Sequence, residues 1–382
     1  MARGTGLLPS LRRAARSLRA HGQALDVALP AGSWSPREEE SPESVEPFGV
    51  ANASMCVNLN QCDLHCIMCW TLPDRERRRN GHLPLDPMNL PRERLLEFLR
   101  APEIQALGSL SVVGGGEPFV YPFMGDLLLE APTPTRRLMI MTHGGLIHRS
   151  DALWQTAESA AITLTFSVDA ASEETYSEIR RGGNWSQLVA NIDRWADVCR
   201  RNPSALLNTS FVVLRRNLDE VLPFLELCDR WGANYVHFHP AIAGAYPEDW
   251  RVDRGSDRYL GVMREAFDFA RSRRIALDTP EELLTSPVLL GDAAKDETVG
   301  RAEDLLDPRR SCRLHSEAMT VNHLGEVFVC DTAFRVGYSC GNVVRDGVMG
   351  AWHSPAWSSL RRAHREGRPE SHPLCRNCLL LR

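Results

Sequence analysis

Three cysteines, Cys62, Cys66 and Cys69, fall within eight residues in the spacing C-x₃-C-x₂-C. A structural zinc ion takes four protein ligands, whereas a catalytic metal keeps one position open. An iron–sulfur cubane has four iron corners, each normally held by a cysteine thiolate. Three thiolates would therefore leave one iron open to another ligand. The spacing predicts a reactive metal centre in this loop, with a partial zinc site or unrelated cysteines as the alternatives.

Other cysteines form a second group, because five of the eleven lie in the last 71 residues. In a chain of 382 residues without an apolar secretory segment, clustered cysteines indicate metal ligands rather than disulfides. The distribution predicts two separate metal-binding regions.

The basic residues exclude several classes of protein. Only Lys295 among the 44 basic residues is a lysine, and it lies in a polar stretch, DAAKDE. Phosphate-binding loops of the Walker type and Schiff-base enzymes both need a suitably placed lysine.

The net charge of −5 does not indicate nucleic-acid binding, and no apolar run approaches the roughly 20 residues that span a bilayer. We expect a cytoplasmic enzyme with neither nucleic-acid nor membrane partners.

Strand-like and helix-like segments alternate from residue 55 onward, which is typical of an α/β fold with a parallel sheet. The predicted strands are 55–60, 110–115, 137–145, 161–169, 206–214 and 234–241, and the predicted helices include 91–107, a helix opened by Ser172, 185–201 and 218–231. In such folds the loops after the strands carry function. The cysteine loop, GGGEP (114–118), THGG (142–145) and SVDA (167–170) all occupy such loops.

Composition divides the chain into three parts. Residues 1–47 are first arginine-rich and then rich in Pro, Ser and Glu, which favours an extension and linker, with a transit peptide as the alternative. Residues 48–290 are predicted to form the core domain. Residues 291–382 are predicted to form a connector and a smaller cysteine-containing module.

With these motifs in these positions, the chain resembles the radical S-adenosylmethionine (SAM) enzymes over residues 50 to 382. The resemblance implies a partial (β/α)₆ TIM-like barrel, with Cys62, Cys66 and Cys69 holding a [4Fe–4S] cluster whose open iron binds SAM. Relatives often carry an aromatic residue just before the last cysteine. Here Met68 stands there, with Trp70 after Cys69.

The same resemblance implies which residues contact SAM. Gly115, Gly116, Glu117 and Pro118 correspond to the motif that binds the SAM amino group, although the glycines could also form only a tight turn. Ser167 and Asp169 correspond to a ribose contact, with capping of the next helix as the alternative. THGG stands where relatives often carry Thr-Asn-Gly.

The C-terminal region resembles the SPASM/twitch extension of these enzymes, a small α+β module that holds auxiliary clusters. By this resemblance Cys312, Cys330, Cys375 and Cys378 bind one auxiliary [4Fe–4S] cluster, which makes two clusters in all, and a Cys₄ zinc site is the alternative. Cys340 remains as a fifth ligand candidate or as a hydrogen-atom donor to a substrate radical.

The implied reaction is reductive cleavage of SAM to a 5′-deoxyadenosyl radical, which abstracts hydrogen from the substrate. We expect a small polar metabolite of natural-product (antibiotic) biosynthesis, such as a sugar, aminocyclitol or nucleoside, that is dehydrogenated or epimerised. A peptide or protein maturase is the alternative enzyme, and a non-catalytic iron–sulfur or zinc protein is the alternative of another class. A flavodoxin or ferredoxin-type protein would donate electrons. His237, His239 and Arg215 are candidate substrate contacts, with core packing of the histidines and solvation of the arginine as alternatives.

Overall fold

A computed structural model of the chain describes residues 49–378, except for 51, 59–60, 70, 72–88, 241–249, 278–311, 331–332, 335–336 and 377. The predicted extension over 1–47, Trp70 and most of the predicted connector therefore lie outside the described residues. The domain boundaries proposed from composition stay predictions.

Ten strands of the described residues form one sheet in the order β10-β9-β8-β1-β2-β3-β4-β5-β6-β7. Neighbours from β1 to β7 all pair in parallel, which confirms the predicted α/β class and barrel-like sheet. The strands are β1 Asn52–Met55, β2 Ser109–Val112, β3 Arg137–Thr142, β4 Ile162–Ser167, β5 Leu206–Val213, β6 Tyr235–Pro240, β7 Ala276–Leu277, β8 Ala318–Val321, β9 Glu326–Phe328 and β10 Gly341–Asn342.

Helices connect successive parallel strands, as right-handed crossovers require. The described α-helices are α1 Arg92–Arg100, α2 Pro102–Gln105, α3 Met124–Glu130, α4 Asp151–Ala157, α5 Glu173–Ile179, α6 Trp185–Arg201, α7 Val221–Trp231, α8 Asp257–Arg273, α9 Leu314–Glu317, α10 Val343–Trp352, α11 Pro355–Arg365 and α12 Pro373–Arg376. Short 3₁₀ helices lie at Pro118–Val120, Ile147–Arg149, Leu218–Glu220 and Pro369–Ser371. Among the residues described, no helix combines the length and the apolar character needed to cross a bilayer.

Local sequence explains several element boundaries. The Ser172 hydroxyl accepts a hydrogen bond from the Thr175 amide and so caps α5, as predicted. Asn184 caps α6 in the same way, and α6 has the bounds that its amphipathic pattern predicts. Helix α7 ends at Gly232, whose φ of +72° suits a glycine. The two N-caps set where α5 and α6 begin, and Gly232 sets where α7 ends before β6.

Two predicted elements are placed differently. The sequence predicts the first strand at 55–60, but this strand runs over Asn52–Met55, because it pairs there with both β2 and β8. The predicted helix 91–107 is divided into α1 and α2 at Ala101, which is extended with ψ 132°. Pro102 follows Ala101, and a residue that precedes proline is disfavoured in helical conformation.

The C-terminal segment extends the barrel sheet. Strand β8 pairs in parallel with β1, and the Cys56 amide donates to the Val321 carbonyl over 2.8 Å. Strands β9 and β10 follow in antiparallel pairing. The cysteine-containing C-terminal region is therefore joined to the first barrel strand.

Candidate active site

Backbone hydrogen bonds join the loop that carries Cys62, Cys66 and Cys69 to two neighbouring segments of the chain. The His65 amide donates to the Arg181 carbonyl and the Ile67 amide to the Ile179 carbonyl, at 2.8 and 2.9 Å. The Glu117 amide donates to the Gln61 carbonyl at 2.7 Å. The loop is thus fixed between the end of α5 and the loop after β2.

The three thiols lie on an apolar patch. Cys66 is buried, whereas Cys62 and Cys69 are half-buried. Their apolar surroundings consist of Leu64, Ile67, Met68, Ile179, Leu214, Val212 and Trp250. Burial raises the pKa of Cys66 to about 11, Arg180 acts against this rise, and Cys69 and Cys62 add to it. Three thiolates together are therefore unfavourable here unless a metal centre compensates their charge.

Arg180 connects this loop to Asp169. Its Nε donates to Asp169 Oδ2 at 2.7 Å, and its Nη1 lies 3.8 Å from the Cys66 sulfur. The Asp169 carboxylate is fully buried, and its Oδ1 accepts the Val212 amide at 2.7 Å. Its backbone has a φ of +62°, in the left-handed region. Both carboxylate oxygens are thus engaged within the protein, so the ribose contact stays a prediction.

The Glu117 carboxylate organises the GGGEP loop. Its Oε1 accepts the Thr142 hydroxyl at 2.6 Å and the Phe119 amide at 3.1 Å, while its Oε2 accepts the His143 amide at 2.9 Å. A Cβ at Gly116 would lie 2.5 Å from the Gln61 carbonyl oxygen. Gly116 therefore lets the cysteine loop approach the loop after β2 more closely than any other residue would.

The THGG segment after β3 places His143 against the cysteine loop. His143 Nε2 lies 2.9 Å from Asp63 Oδ1 and 3.5 Å from Glu117 Oε2, and its side chain is only 4% exposed. Burial alone would lower the pKa of His143, but the charge of Glu117 and the hydrogen bonds to Asp63 and Cys62 raise it to about 10. Ligand atoms of Cys62, Asp63 and His143 lie within 4.8 Å of one another.

The histidines of β6 form a pair on one face of the strand. The ring centroids of His237 and His239 lie 3.5 Å apart at 84°, and Tyr235 stacks on His237. Burial, and then His237, lower the pKa of His239 to about 4. His239 is in register with Val212, which packs against the cysteine loop. The pair therefore lies one strand away from the loop.

Two other predicted residues lie at the carboxyl edge of the sheet. Ser167 ends β4, is half-buried and is in register with Ser210. Arg215 follows β5 with an exposed side chain, and its amide donates to the Trp250 carbonyl at 2.9 Å.

The C-terminal cysteines Cys312, Cys330, Cys375 and Cys378 are half-buried. Burial raises the pKa of Cys375 to about 12, and the other three thiols add to the rise, so each of them lies within electrostatic reach of Cys375. His364 Nε2 lies 3.3 Å from the Cys375 sulfur.

Cys340 is buried beside this group. Burial raises the pKa of Cys340 to about 12, and the nearby Cys330 thiol adds a smaller increase. Cys340 is one of the residues that line a cavity of about 820 Å³, together with Glu326, Arg345 and His353.

Residues 59–228 match the family described as "Radical SAM superfamily". Residues 312–379 match SPASM, an "iron-sulfur cluster-binding domain". The chain belongs to the radical SAM superfamily. It carries a C-terminal SPASM domain, as the motifs predicted.

Proteins similar to this radical SAM chain include maturases. This chain is 24% identical over 320 residues to the mycofactocin maturase MftC of Mycobacterium ulcerans. The alignment covers 83% of this chain and 77% of MftC. Streptococcus suis SuiB bound to its precursor peptide SuiA superposes with a TM-score of 0.57 at 14% identity, covering 82% of this chain and 67% of SuiB. The structure of anSMEcpe with AdoMet and the Cp18Cys peptide gives 0.55 at 15% identity and covers 86% of both chains. These structures share the fold.

The prediction of [4Fe–4S] clusters and SAM as cofactors is confirmed at the level of the two domains. The residues also fit iron–sulfur clusters, because all eleven cysteines carry free thiols and seven of them form the two groups described above. Zinc is not the expected metal of either domain. The individual ligands and SAM contacts stay predictions.

Four polar side chains of the site were not among the predicted contacts: Asp63, Thr142, His143 and Arg180. The THGG motif placed Thr142 and His143 at the correct edge of the sheet, but it did not indicate that they meet Glu117. Asp63 lies between two predicted ligands, which was the available signal. Arg180 and Arg181 are adjacent and chemically identical, so the sequence offers no signal for which one is buried.

Proposed function

We propose that this radical SAM enzyme is a maturase that modifies a peptide. The observation that carries the proposal is the similarity to MftC, which spans barrel and SPASM domain together, over 83% of this chain. SuiB and anSMEcpe, which share the fold, have been solved with peptides bound. This support favours the alternative over our first expectation, a small polar metabolite. Dehydrogenation, epimerisation and a role in antibiotic biosynthesis have no such support.

The residues of the barrel have distinct parts in the proposed reaction. When bound, the cluster and SAM supply reductive cleavage of SAM and abstraction of a hydrogen atom from a C–H bond. Cys62, Cys66 and Cys69 hold the cluster, and the apolar patch around them keeps water away. Glu117, fixed by the Thr142 hydroxyl and the His143 amide, presents the adjacent backbone to the SAM amino group. Gly115, Gly116 and Pro118 belong to the same contact.

The substrate is proposed to reach the barrel beside β6. His237 and His239 lie there as a half-buried polar pair, next to the strand that packs on the cysteine loop. Arg215, exposed after β5, completes the proposed polar edge, whereas Ser167 at the end of β4 keeps its proposed role as a ribose contact. Cys312, Cys330, Cys375 and Cys378 hold the auxiliary cluster, and a flavodoxin or ferredoxin-type protein supplies electrons.

One experiment tests the enzyme class. Anaerobically reconstituted protein is incubated with SAM and dithionite, and 5′-deoxyadenosine is measured together with iron and sulfide. We expect product from the wild type and none from the Cys66→Ala variant, whereas Cys228→Ala, which removes a buried thiol outside both groups, retains production. Equal product from Cys66→Ala and the wild type would contradict the assignment of the loop.

A second experiment tests the substrate class. The enzyme is incubated with the fraction below 10 kDa of a perdeuterated cell extract, before and after exhaustive protease digestion. Deuterium transfer into 5′-deoxyadenosine that digestion abolishes supports a peptide. Transfer that survives digestion to single amino acids supports the small metabolite instead.

A further inference from the structure

His143 occupies a position that bridges the cysteine loop and the SAM motif. Its ring faces Asp63 and Cys62 on one side, and its backbone amide donates to Glu117 on the other. The loop is shaped for this ring: a Cβ at Gly145 would lie 3.1 Å from both Cε1 and Nδ1 of His143. A side chain at 145 would therefore press on the His143 ring, which would have to shift by a few tenths of an ångström.

The hydrogen bonds of the ring determine which nitrogen carries a proton. The Gly145 amide donates to His143 Nδ1 at 3.0 Å, so Nδ1 acts as an acceptor in the neutral ring. The proton of neutral His143 is therefore on Nε2, and a protonated ring also carries one there. In either state an N–H group points from Nε2 toward Asp63 Oδ1, 2.9 Å away, with Cys62 alongside.

A hydrogen bond to a ligand sulfur changes the energetics of an iron–sulfur cluster. It withdraws electron density from the sulfur and so favours the reduced, more negative state, which raises the reduction potential. Partners that orient such a donor act in the same way as the outer groups around other metal sites. Asp63, which lies between Cys62 and Cys66 in the chain, is placed to orient the His143 ring.

We propose that His143 is a positioning residue for the SAM cluster: its Nε2–H, shared between Asp63 Oδ1 and the Cys62 sulfur, raises the reduction potential of the cluster. A role in packing alone would require only the shape of the ring. It would not require an N–H group directed at Asp63 and at the sulfur of the proposed ligand Cys62. The inference rests on cluster binding by the cysteine loop and not on the class of substrate.

The test is a redox titration of the reconstituted enzyme, followed by the electron paramagnetic resonance signal of the reduced SAM cluster. The variant His143→Leu removes the donor, and His143→Asn has an amide that is too short to reach Cys62. His143→Gln places an amide N–H close to the position of Nε2. His148→Leu is the matched control, because His148 is a half-buried histidine five residues further along that contacts Asn191 and Arg149. Iron and sulfide analysis of each variant precedes the titration.

We expect wild type, His143→Gln and His148→Leu to share one midpoint potential. For His143→Leu and His143→Asn we expect a reduced-to-oxidised ratio that is tenfold lower at a fixed potential, equivalent to a shift of about 59 mV to more negative values. If the leucine variant does not retain iron, the asparagine variant decides. Equal potentials for wild type and asparagine variant, or a glutamine variant that falls with them, would overturn the proposal. Because no substrate is present, a wrong substrate class would leave this result unchanged.

Discussion

The substitution Asp169→Asn distinguishes two roles of the residue after β4. As a ribose contact, Asp169 would matter for SAM affinity. As the partner of Arg180, it would matter for stability, because its carboxylate is fully buried and the Arg180 side chain is only 12% exposed. Asparagine keeps the size of the side chain and tolerates the φ of +62°, so the change removes the charge with little backbone strain.

The expected loss follows from the burial of the pair. Removing one partner leaves the guanidinium of Arg180 buried without its counter-charge, and breaking a buried pair in this way costs about 3–5 kcal/mol. Each 1 kcal/mol lowers the melting temperature of a domain of this size by about 2–4 °C. We therefore expect a decrease of at least about 6 °C for Asp169→Asn. The double variant Asp169→Asn/Arg180→Gln removes both charges and should recover most of the loss.

Circular dichroism of anaerobically reconstituted protein measures the melting temperatures, and equilibrium dialysis with labelled SAM measures the affinity. The matched control is Glu178→Gln, which breaks an ion pair with Arg216 at 3.0 Å whose two side chains are more than half exposed. Such a pair contributes less than about 1 kcal/mol. An Asp169→Asn protein that melts like the wild type but binds SAM weakly would refute the structural role and favour the ribose contact.

Three other changes test separate parts of the structure. Gly116→Ala should abolish cluster loading, measured as iron at the SAM site, because its Cβ would lie 2.5 Å from the Gln61 carbonyl oxygen; full loading would contradict the close approach. Cys375→Ala should lower the iron content from about eight to about four per chain, whereas Cys228→Ala should leave it unchanged. His239, whose pKa falls from 6.5 to about 4 mainly through burial, stabilises the fold above pH 6.5, and this contribution is lost as the pH falls from 6.5 to 4. Between pH 6.5 and pH 4, the free energy of unfolding, measured with urea, should therefore decrease by up to about 3 kcal/mol less for His239→Gln than for the wild type. Identical pH profiles for the two proteins would contradict the pKa shift.

Periodicity and capping predicted the parts of the fold that local interactions determine. The sequence predicts helix α6 at its observed bounds because a long amphipathic pattern spans 185–201, and the structure adds the Asn184 cap. The position of β1 was wrong because pairing with β2 and β8 decides it, and the sequence around Met55 contains no trace of that pairing. The joining of the C-terminal strands to β1 was missed for the same reason.

Motif spacing predicted which residues enter the site but not how they contact one another. The cysteine spacing, GGGEP and THGG all indicated loops at one edge of the sheet, since parallel strands end together there. Glu117 accepts hydrogen bonds from both Thr142 and His143 because β2 and β3 pair in a particular register. Glu117 and Thr142 are 25 residues apart in the chain, and the sequence does not reveal that register.

Asp169 shows why the remaining contacts require the structure. The sequence predicts ribose binding or helix capping for Asp169, and both roles need a polar side chain that faces outward after the strand. The left-handed backbone at Asp169 is accompanied instead by full burial of the carboxylate, toward Arg180 and the Val212 amide. Arg180 in turn reaches Cys66. The ion pair therefore links the loop after β4 to the cysteine loop. We expect a charge change at Asp169 to alter the electrostatic environment of the cluster as well as the stability of the fold.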